Sequence, residues 1–183
     1  ECSSTQKDIV VVPRNQIVLR REIYRHDVEQ MATWMQDEGV TEFLNEDQNI
    51  DRKLHHLLRN TTIPLFSPQF NRDGRFFMIS LAGGDPIGFM RLISRRDTAE
   101  IVVVIGDREQ WGKGYGYKAI RKGLEYVFAE WGKDWVVAKI HKDNERSRHV
   151  FRKAGMTKDE DLEVEEKLSM HASELGDPPD NSL

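Results

Sequence analysis

The chain has 183 residues, of which 38% are hydrophobic and 32% charged, with a formal net charge of -4. This length suits one domain with a full core, and the slightly acidic balance argues against a nucleic-acid reader, which is usually basic. No apolar run approaches the roughly 20 residues of a membrane-spanning helix. The single cysteine, Cys2, excludes an internal disulfide framework, so we expect a cytoplasmic protein.

The first third of the chain predicts one strand and two helices. Residues 1–15 are predicted to be a tail or an extra edge strand, and Ile17–Arg20 the first strand proper. Asp27 is a suitable N-cap for an amphipathic helix that Gly39 can end, and a second helix is expected over Ile50–Arg59.

A hairpin is predicted next. Phe76–Leu81 and Pro86–Ser94 are strand-like and are joined by a Gly-Gly-Asp turn. An apolar run rich in β-branched residues, Ile101–Ile105, follows as a buried strand. Because a helical pattern then alternates with strands, the sequence favours a mixed α/β sheet.

The most informative stretch connects that buried strand to the next helix. Gly112, Gly114 and Gly116 form a glycine-rich turn, and the apolar positions from Ala119 to Trp131 are spaced as one face of a helix. The first N–H groups of a helix have no acceptor within the helix and lie at the positive end of its dipole. The stretch therefore predicts an anion site, most often a phosphate site.

Spacing separates three phosphate motifs. A dinucleotide fingerprint needs a third glycine where Tyr117 stands, and a P-loop fails both in its spacing from Gly106 and at Gly114, which follows the lysine. The segment from Trp111 to Gly116 resembles instead the acetyl-CoA motif of the GCN5-related N-acetyltransferase (GNAT) superfamily, (Gln/Arg)-x-x-Gly-x-(Gly/Ala), with Trp111 at the first place. The variant Trp-Gly-Lys-Gly-Tyr is similar to the ribosomal-protein N-terminal acetyltransferase (Rim-type) subgroup and its polyamine- and aminoglycoside-acetylating relatives.

The succession downstream strengthens the resemblance. Trp135–Ile140 is strand-like, and Asn144 opens a short helix that ends near Gly155, as in the superfamily. After it the chain offers one good strand, around Leu168, and a doubtful second. We expect a single domain over residues 16–170 and a flexible tail over 171–183.

The resemblance implies a fold and a co-substrate. The fold is α/β, a mixed, mostly antiparallel sheet with splayed central strands flanked by helices. The co-substrate is acetyl-CoA, whose pyrophosphate is held at the turn while Lys113 adds charge. A free amide at the end of the fourth strand binds the thioester carbonyl, and Asn144 binds the pantetheine arm. The cofactor residues so implied are Val104, Ile105, Gly106, Trp111, Gly112, Lys113, Gly114, Tyr115, Gly116, Tyr117, Asn144 and Phe151.

Two catalytic residues are implied in the same way. Glu100, early on the central strand, is the candidate base, acting through water or holding a cationic acceptor. Many members use a tyrosine as the acid, but Phe151 stands at that place and has no proton to give. Ser147 is the substitute donor, because some of the ribosomal subgroup use a serine there.

Two functions stay open at this point. The first is an N-acetyltransferase acting by direct attack of a primary amine, on a small molecule or a protein N-terminus. The second is a non-catalytic acyl-CoA-binding or regulatory domain. We expect neither nucleic acid nor a membrane as partner. We also expect no metal, because the adjacent His55 and His56 cannot chelate one metal as an i, i+4 pair would. A homodimer is a further expectation from the resemblance.

Overall fold

The computed structural model describes residues 16–44 and 49–177, so the N-terminal tail or strand expected over 1–15 and residues 178–183 lie outside the described residues. The helices are α1 (Arg25–Trp34), α2 (Glu38–Thr41), α3 (Ile50–Asn60), α4 (Ser67–Phe70), α5 (Tyr115–Glu130) and α6 (Glu145–Lys153). The strands are β1 (Ile17–Arg20), β2 (Gly74–Leu81), β3 (Pro86–Ser94), β4 (Thr98–Ile105), β5 (Trp135–His141), β6 (Thr157–Asp161) and β7 (Glu165–His171).

The described strands form one seven-stranded sheet in the order β1-β2-β3-β4-β5-β7-β6. Every neighbouring pair is antiparallel except β4 and β5, which are parallel and joined through α5. The mixed, mostly antiparallel sheet flanked by helices is therefore confirmed. None of the described helices combines the length and apolar character that crossing a membrane requires.

Alternating side chains of β4 belong to two separate hydrophobic cores on opposite faces of the sheet. Ala99 and Ile101 pack with α5 on one face of the sheet. Val104 packs with α1 and α3 on the other face. Because successive strand residues point to opposite faces, β4 is the wall between these two layers.

The parallel pair β4–β5 separates after three residue pairs. Pairing runs from Thr98 with Trp135 to Glu100 with Val137, and no further pair exists along the described β4. Beyond Glu100 the β5-facing edge of β4 therefore has no strand partner. This is the predicted splay, and it leaves a gap in the middle of the sheet.

Asp27 serves the start of α1 differently from its predicted role. The helix begins at Arg25, so Asp27 lies inside its first turn, where its carboxylate accepts the Tyr24 backbone N–H at 2.7 Å. It is fully buried and also accepts two hydrogen bonds from Arg20, at 2.6 and 2.8 Å. Gly39 does not end this helix but lies within α2.

The C-terminal part is more ordered than the sequence predicted. Two strands follow α6, and a turn of 3-10 helix over Ala172–Glu174 places Leu175 against the core. Arg121 on α5 is buried and donates to the carbonyls of Ala154 and Gly176. The described residues of the expected tail are thus packed against the domain. β6 escaped prediction because all five of its residues are exposed, so it has no apolar alternation.

Candidate active site

A cleft of about 610 Å³ lies between the turn that opens α5 and the inner face of α6. Its floor is the α5-facing side of β4 at Val103 and Ile105, toward the wide end of the splay. The lining residues are Val103, Ile105, Gln110, Trp111, Gly112, Gly114, Tyr115, Gly116, Tyr117, Ile120, Glu145, Arg146, Ser147, His149, Val150, Phe151 and Lys153.

The glycines of the turn have two different physical roles. Gly112 and Gly114 have φ values of +75° and +81°, which L side chains rarely adopt, and this backbone delivers the chain into α5. Gly116 is helical, but a Cβ there would lie 3.7 Å from Val150 Cγ1 across the cleft. The turn thus opens the first N–H groups of α5 to the cleft, as an anion site requires.

Trp111 closes the open end of the splay. Its indole Nε1 donates to the Ile105 carbonyl at 2.8 Å. The guanidinium of Arg146 lies 3.5 Å from the centre of its ring, and that of Arg108 lies 5.2 Å away. Burial, with a contribution from Arg108, lowers the pKa of Arg146. Trp111 therefore supplies no charge itself, but it holds a guanidinium at the rim of the cleft.

The backbone direction along β4 decides which amides face the gap. Gly106 donates its N–H to the Ile87 carbonyl of β3 at 2.9 Å, and hydrogen-bonding direction alternates along an antiparallel strand. Val104 therefore faces β3 as well, whereas Ile105 and Val103 face the gap. This corrects the expected donor: among the three residues implied by the resemblance, only Ile105 presents its N–H to the splay.

The start of α6 separates Asn144 from the cleft. Its side chain caps the helix by accepting the Ser147 N–H at 3.1 Å, as the sequence predicted. Asn144 lines a second cavity of about 310 Å³, which shares Trp111, Glu145 and Arg146 with the cleft. Ser147 and the buried Phe151 lie in the cleft itself.

The opposite side of α6 is anchored to β7. Glu166, whose side chain is 2% exposed, accepts hydrogen bonds from Arg148 at 2.7 Å and Arg152 at 2.5 Å. Burial acts to raise the pKa of Glu166, but the hydrogen bonds and charges of these two arginines outweigh it and lower the pKa. The anchor fixes which face of α6 is turned toward the cleft.

We expect Glu166→Gln to destabilise the protein at neutral pH by about 2 kcal/mol, less than a fully buried pair because Arg152 keeps contact with water. A lowered folded-state pKa gives stability that is present above the unfolded pKa, near 4.3, and lost as the pH falls through the folded value. Urea unfolding of both proteins from pH 7 to pH 3 should show the difference shrinking below about pH 4.3. A constant difference would contradict the ion-pair origin.

Glu100 lies on the other face of the sheet, at the fork where β4 and β5 separate. Its side chain is 20% exposed and stands 4.0 Å from Lys139 Nζ of β5. At roughly 3.3 Å per strand residue it is about 16 Å from Ile105 along β4. The carboxylate and the glycine turn are therefore at opposite ends and on opposite faces of the gap.

The structure gathers most, but not all, of the predicted site residues. Lys113 does not line the cleft, since its Nζ bonds Gln110 Oε1 at 3.2 Å. Val104, Gly106, Asn144 and Glu100 also lie outside it. Eight further residues line the cleft without having been predicted as site residues from the sequence: Val103, Gln110, Ile120, Glu145, Arg146, His149, Val150 and Lys153. The α6 members among these could have been found from their helical spacing around Ser147 and Phe151.

An acidic groove borders the cleft on the α2 side. Asp37, Glu38 and Glu42 line a shallow cavity of about 830 Å³ that also includes Arg108. This groove shares Glu42 and Arg108 with the 310 Å³ cavity, which in turn meets the cleft at Trp111. Among the described residues no group of three or more potential metal ligands occurs.

Comparisons with known proteins agree with this geometry. A family model described as "Acetyltransferase (GNAT) domain" matches residues 17–157. An N-acetyltransferase 9-like protein of Nematostella vectensis is 28% identical over 169 residues, covering 88% of this chain and 84% of that protein.

Two solved structures show the same fold. Spermidine N-acetyltransferase from Vibrio cholerae, in complex with CoA and spermine, superposes with a TM-score of 0.72 at 17% identity, covering 87% of this chain and 98% of that one. A GNAT-family acetyltransferase from Bacillus anthracis gives a TM-score of 0.70 at 19% identity, covering 87% and 96%. Because the family model matches most of this chain, the chain belongs to the GNAT acetyltransferase domain family.

Proposed function

We propose that this protein is an acetyl-CoA-dependent N-acetyltransferase in which a primary amine attacks the thioester directly, in a ternary complex. One observation carries the proposal: a single cleft joins a glycine-rich helix N-terminus to the unpaired edge of a splayed strand. The pyrophosphate of acetyl-CoA requires the helix N-terminus, and its peptide-like pantetheine arm requires the unpaired strand edge. The CoA bound by the Vibrio cholerae protein of the same fold supports the choice of co-substrate.

The residues present fit acetyl-CoA as substrate. The first-turn amides of α5 and the amides of the turn would take the pyrophosphate. Arg146, stacked on Trp111, supplies a charged hydrogen-bond donor beside the family's first motif position, which Trp111 itself occupies. The gap-facing edge of β4 at Val103 and Ile105 can pair with the amides of the pantetheine arm like an added strand.

Acetyl transfer balances without a covalent enzyme intermediate. The amine nitrogen forms a bond to the carbonyl carbon, and the carbonyl electrons move to oxygen. When they return, the carbon–sulfur bond breaks and the nitrogen loses a proton. We assign the N–H of Ile105 to the oxyanion, a contact that contributes roughly 3 kcal/mol in a comparable site.

We assign to Glu100 the role of accepting a proton from the acceptor amine. Because α5 and α6 cover the cofactor face, the acceptor reaches the gap from the α1–α3 face, where Glu100 lies. An amine with a pKa near 10.4 must lose a proton before it attacks. Because Glu100 lies about 16 Å along β4 from Ile105, the proton would reach its carboxylate through a chain of waters in the gap.

We assign to Ser147 the role of donating a proton to the leaving thiolate, since Phe151 offers no proton. We expect Ser147→Ala to lower kcat at least tenfold from pH 6 to 9, because the departing thiolate then has to take its proton from water. Alanine keeps the N–H that Asn144 caps, so α6 stays intact. Turnover should be measured from pH 6 to 9, with Ser147→Thr as the hydroxyl-retaining control. Unchanged turnover across this range would remove the role.

The acidic groove on the α2 side favours cationic acceptors. A polyamine such as the spermine bound by the Vibrio cholerae protein is one candidate. A protein N-terminus, implied by the Rim-type motif, is the other. Homodimerisation stays a prediction, which one sedimentation run can test.

The function is tested in two steps. Acetyl-CoA at one hundred times its Kd should stabilise the protein by about 2.7 kcal/mol, whereas NAD should not. Release of free CoA should then accelerate when polyamines, peptides with free N-termini or other amines are added. Stabilisation without amine-stimulated release would favour the second candidate, a non-catalytic acyl-CoA-binding domain. Phe151 is the residue that supports this candidate, because it has no proton to donate. No stabilisation by acetyl-CoA would overturn both.

A further inference from the structure

Two cations of α6 face the cleft from one side of the helix. Arg146 and Lys153 are seven residues apart, which is nearly two full turns, so they share a face about 10 Å apart along the axis. Arg148 and Arg152 lie on the opposite face, where Glu166 holds them. The anchor to β7 therefore leaves exactly one pair of α6 cations for the cleft.

Each of the two cleft cations rests on an aromatic ring contributed by the glycine-rich segment. Arg146 lies over Trp111 at 3.5 Å, and Lys153 Nζ lies 5.2 Å from the centre of the Tyr117 ring. Trp111 precedes the turn, while Tyr117 lies in the first turn of α5. The two contacts thus bracket the anion site and hold both side chains in place before a ligand arrives.

Neither cation is neutralised by a carboxylate. Within residues 16–44 and 49–177, Arg146 and Lys153 form no ion pair, whereas the other two α6 arginines do. Glu145 is the one acidic side chain lining the described cleft, next to Arg146 at the start of the helix. The end of the cleft at Lys153 therefore carries a net positive charge that no carboxylate of the described residues neutralises.

CoA carries one phosphate more than the pyrophosphate site can account for. Its 3′-phosphate is attached to the ribose, away from the pyrophosphate, and dephospho-CoA lacks it. Arg146 and Lys153 are held over different rings at the two ends of the glycine-rich segment, so two separated anionic groups of one ligand can each meet one cation. We propose that Lys153 binds the 3′-phosphate of CoA and makes the cleft select CoA over dephospho-CoA. This inference rests on the proposed function, in which Arg146 serves the pyrophosphate.

Calorimetric titration with CoA and dephospho-CoA tests the assignment. The wild-type protein should bind CoA about tenfold more tightly, the usual scale of one charge-assisted contact. Lys153→Gln should bind both ligands as the wild type binds dephospho-CoA. Arg146→Gln should weaken both to a similar extent. Lys122→Gln removes an exposed lysine of α5 outside the cleft and should match the wild type.

The outcomes separate the two levels of the proposal. Equal affinity of the wild type for both ligands, or a preference that survives Lys153→Gln, would overturn the Lys153 assignment while the acetyltransferase proposal stands. An equal loss for both ligands in Lys153→Gln would place the lysine at the pyrophosphate and would also overturn the assignment. Binding of neither ligand to the wild type would overturn the assignment together with the proposed function. Lys153 is exposed, so unfolding of its variant is not expected, and its Tm without ligand checks this.

Discussion

Replacing Gly116 with leucine is expected to abolish acetyl-CoA binding while leaving the protein folded. A Cβ at this position would lie 3.7 Å from Val150 Cγ1 and 3.9 Å from Ile105 Cγ1, which is ordinary contact distance. The remaining atoms of leucine have no space except the cleft, between α6 and the floor at β4. We expect the Kd to rise at least a hundredfold, a change of about 2.8 kcal/mol.

The fold should tolerate this change because Gly116 is not among the glycines with positive φ. A helical glycine replaced by a residue with a side chain loses unfolded-state entropy, so the Tm should hold or rise slightly. Gly116→Ala should bind acetyl-CoA nearly as the wild type does. Ala129→Leu adds the same bulk to an exposed position of α5 and serves as the matched control. Binding by Gly116→Leu within threefold of the wild type would mean that the cleft is not the cofactor site.

The second large effect is expected for Glu100→Gln, which should lower kcat about a hundredfold without changing the Kd for acetyl-CoA. The two parameters separate because Glu100 lies on the acceptor face of the sheet, away from the cleft. Glutamine keeps the size and polarity of the side chain at the fork but cannot take a proton.

Amine kinetics distinguish catalysis from simple attraction of a cation. If Glu100 only holds a positively charged acceptor, Glu100→Gln would raise KM with kcat unchanged, and the base assignment would be wrong. Glu125→Gln removes an exposed carboxylate of α5 and should behave as the wild type.

The sequence was sufficient for features that are local in the chain. The strand–turn–helix order around Gly112, the hairpin before β4 and the Asn144 cap of α6 all depend on residues within a few positions of one another. Their periodicity and turn chemistry are therefore visible without the rest of the fold. Elements whose order depends on a partner rather than on an apolar pattern of their own were missed or misjudged. β6 has no apolar residue of its own and depends on pairing with β7, and residues 172–177 are ordered by contacts with α5.

The candidate site divides along the same physical line. Local sequence was enough to predict the glycine turn, the helix behind it and an anion site between them, because these predictions rest on backbone freedom and helix electrostatics within one segment. Three features depend instead on long-range contacts: Arg146 stacks on Trp111, Ile105 rather than Gly106 faces the gap, and Glu100 lies on the opposite face from the cleft. Each of these depends on how β3, β5 and α6 register against β4, and that register is set by long-range packing rather than by any local pattern.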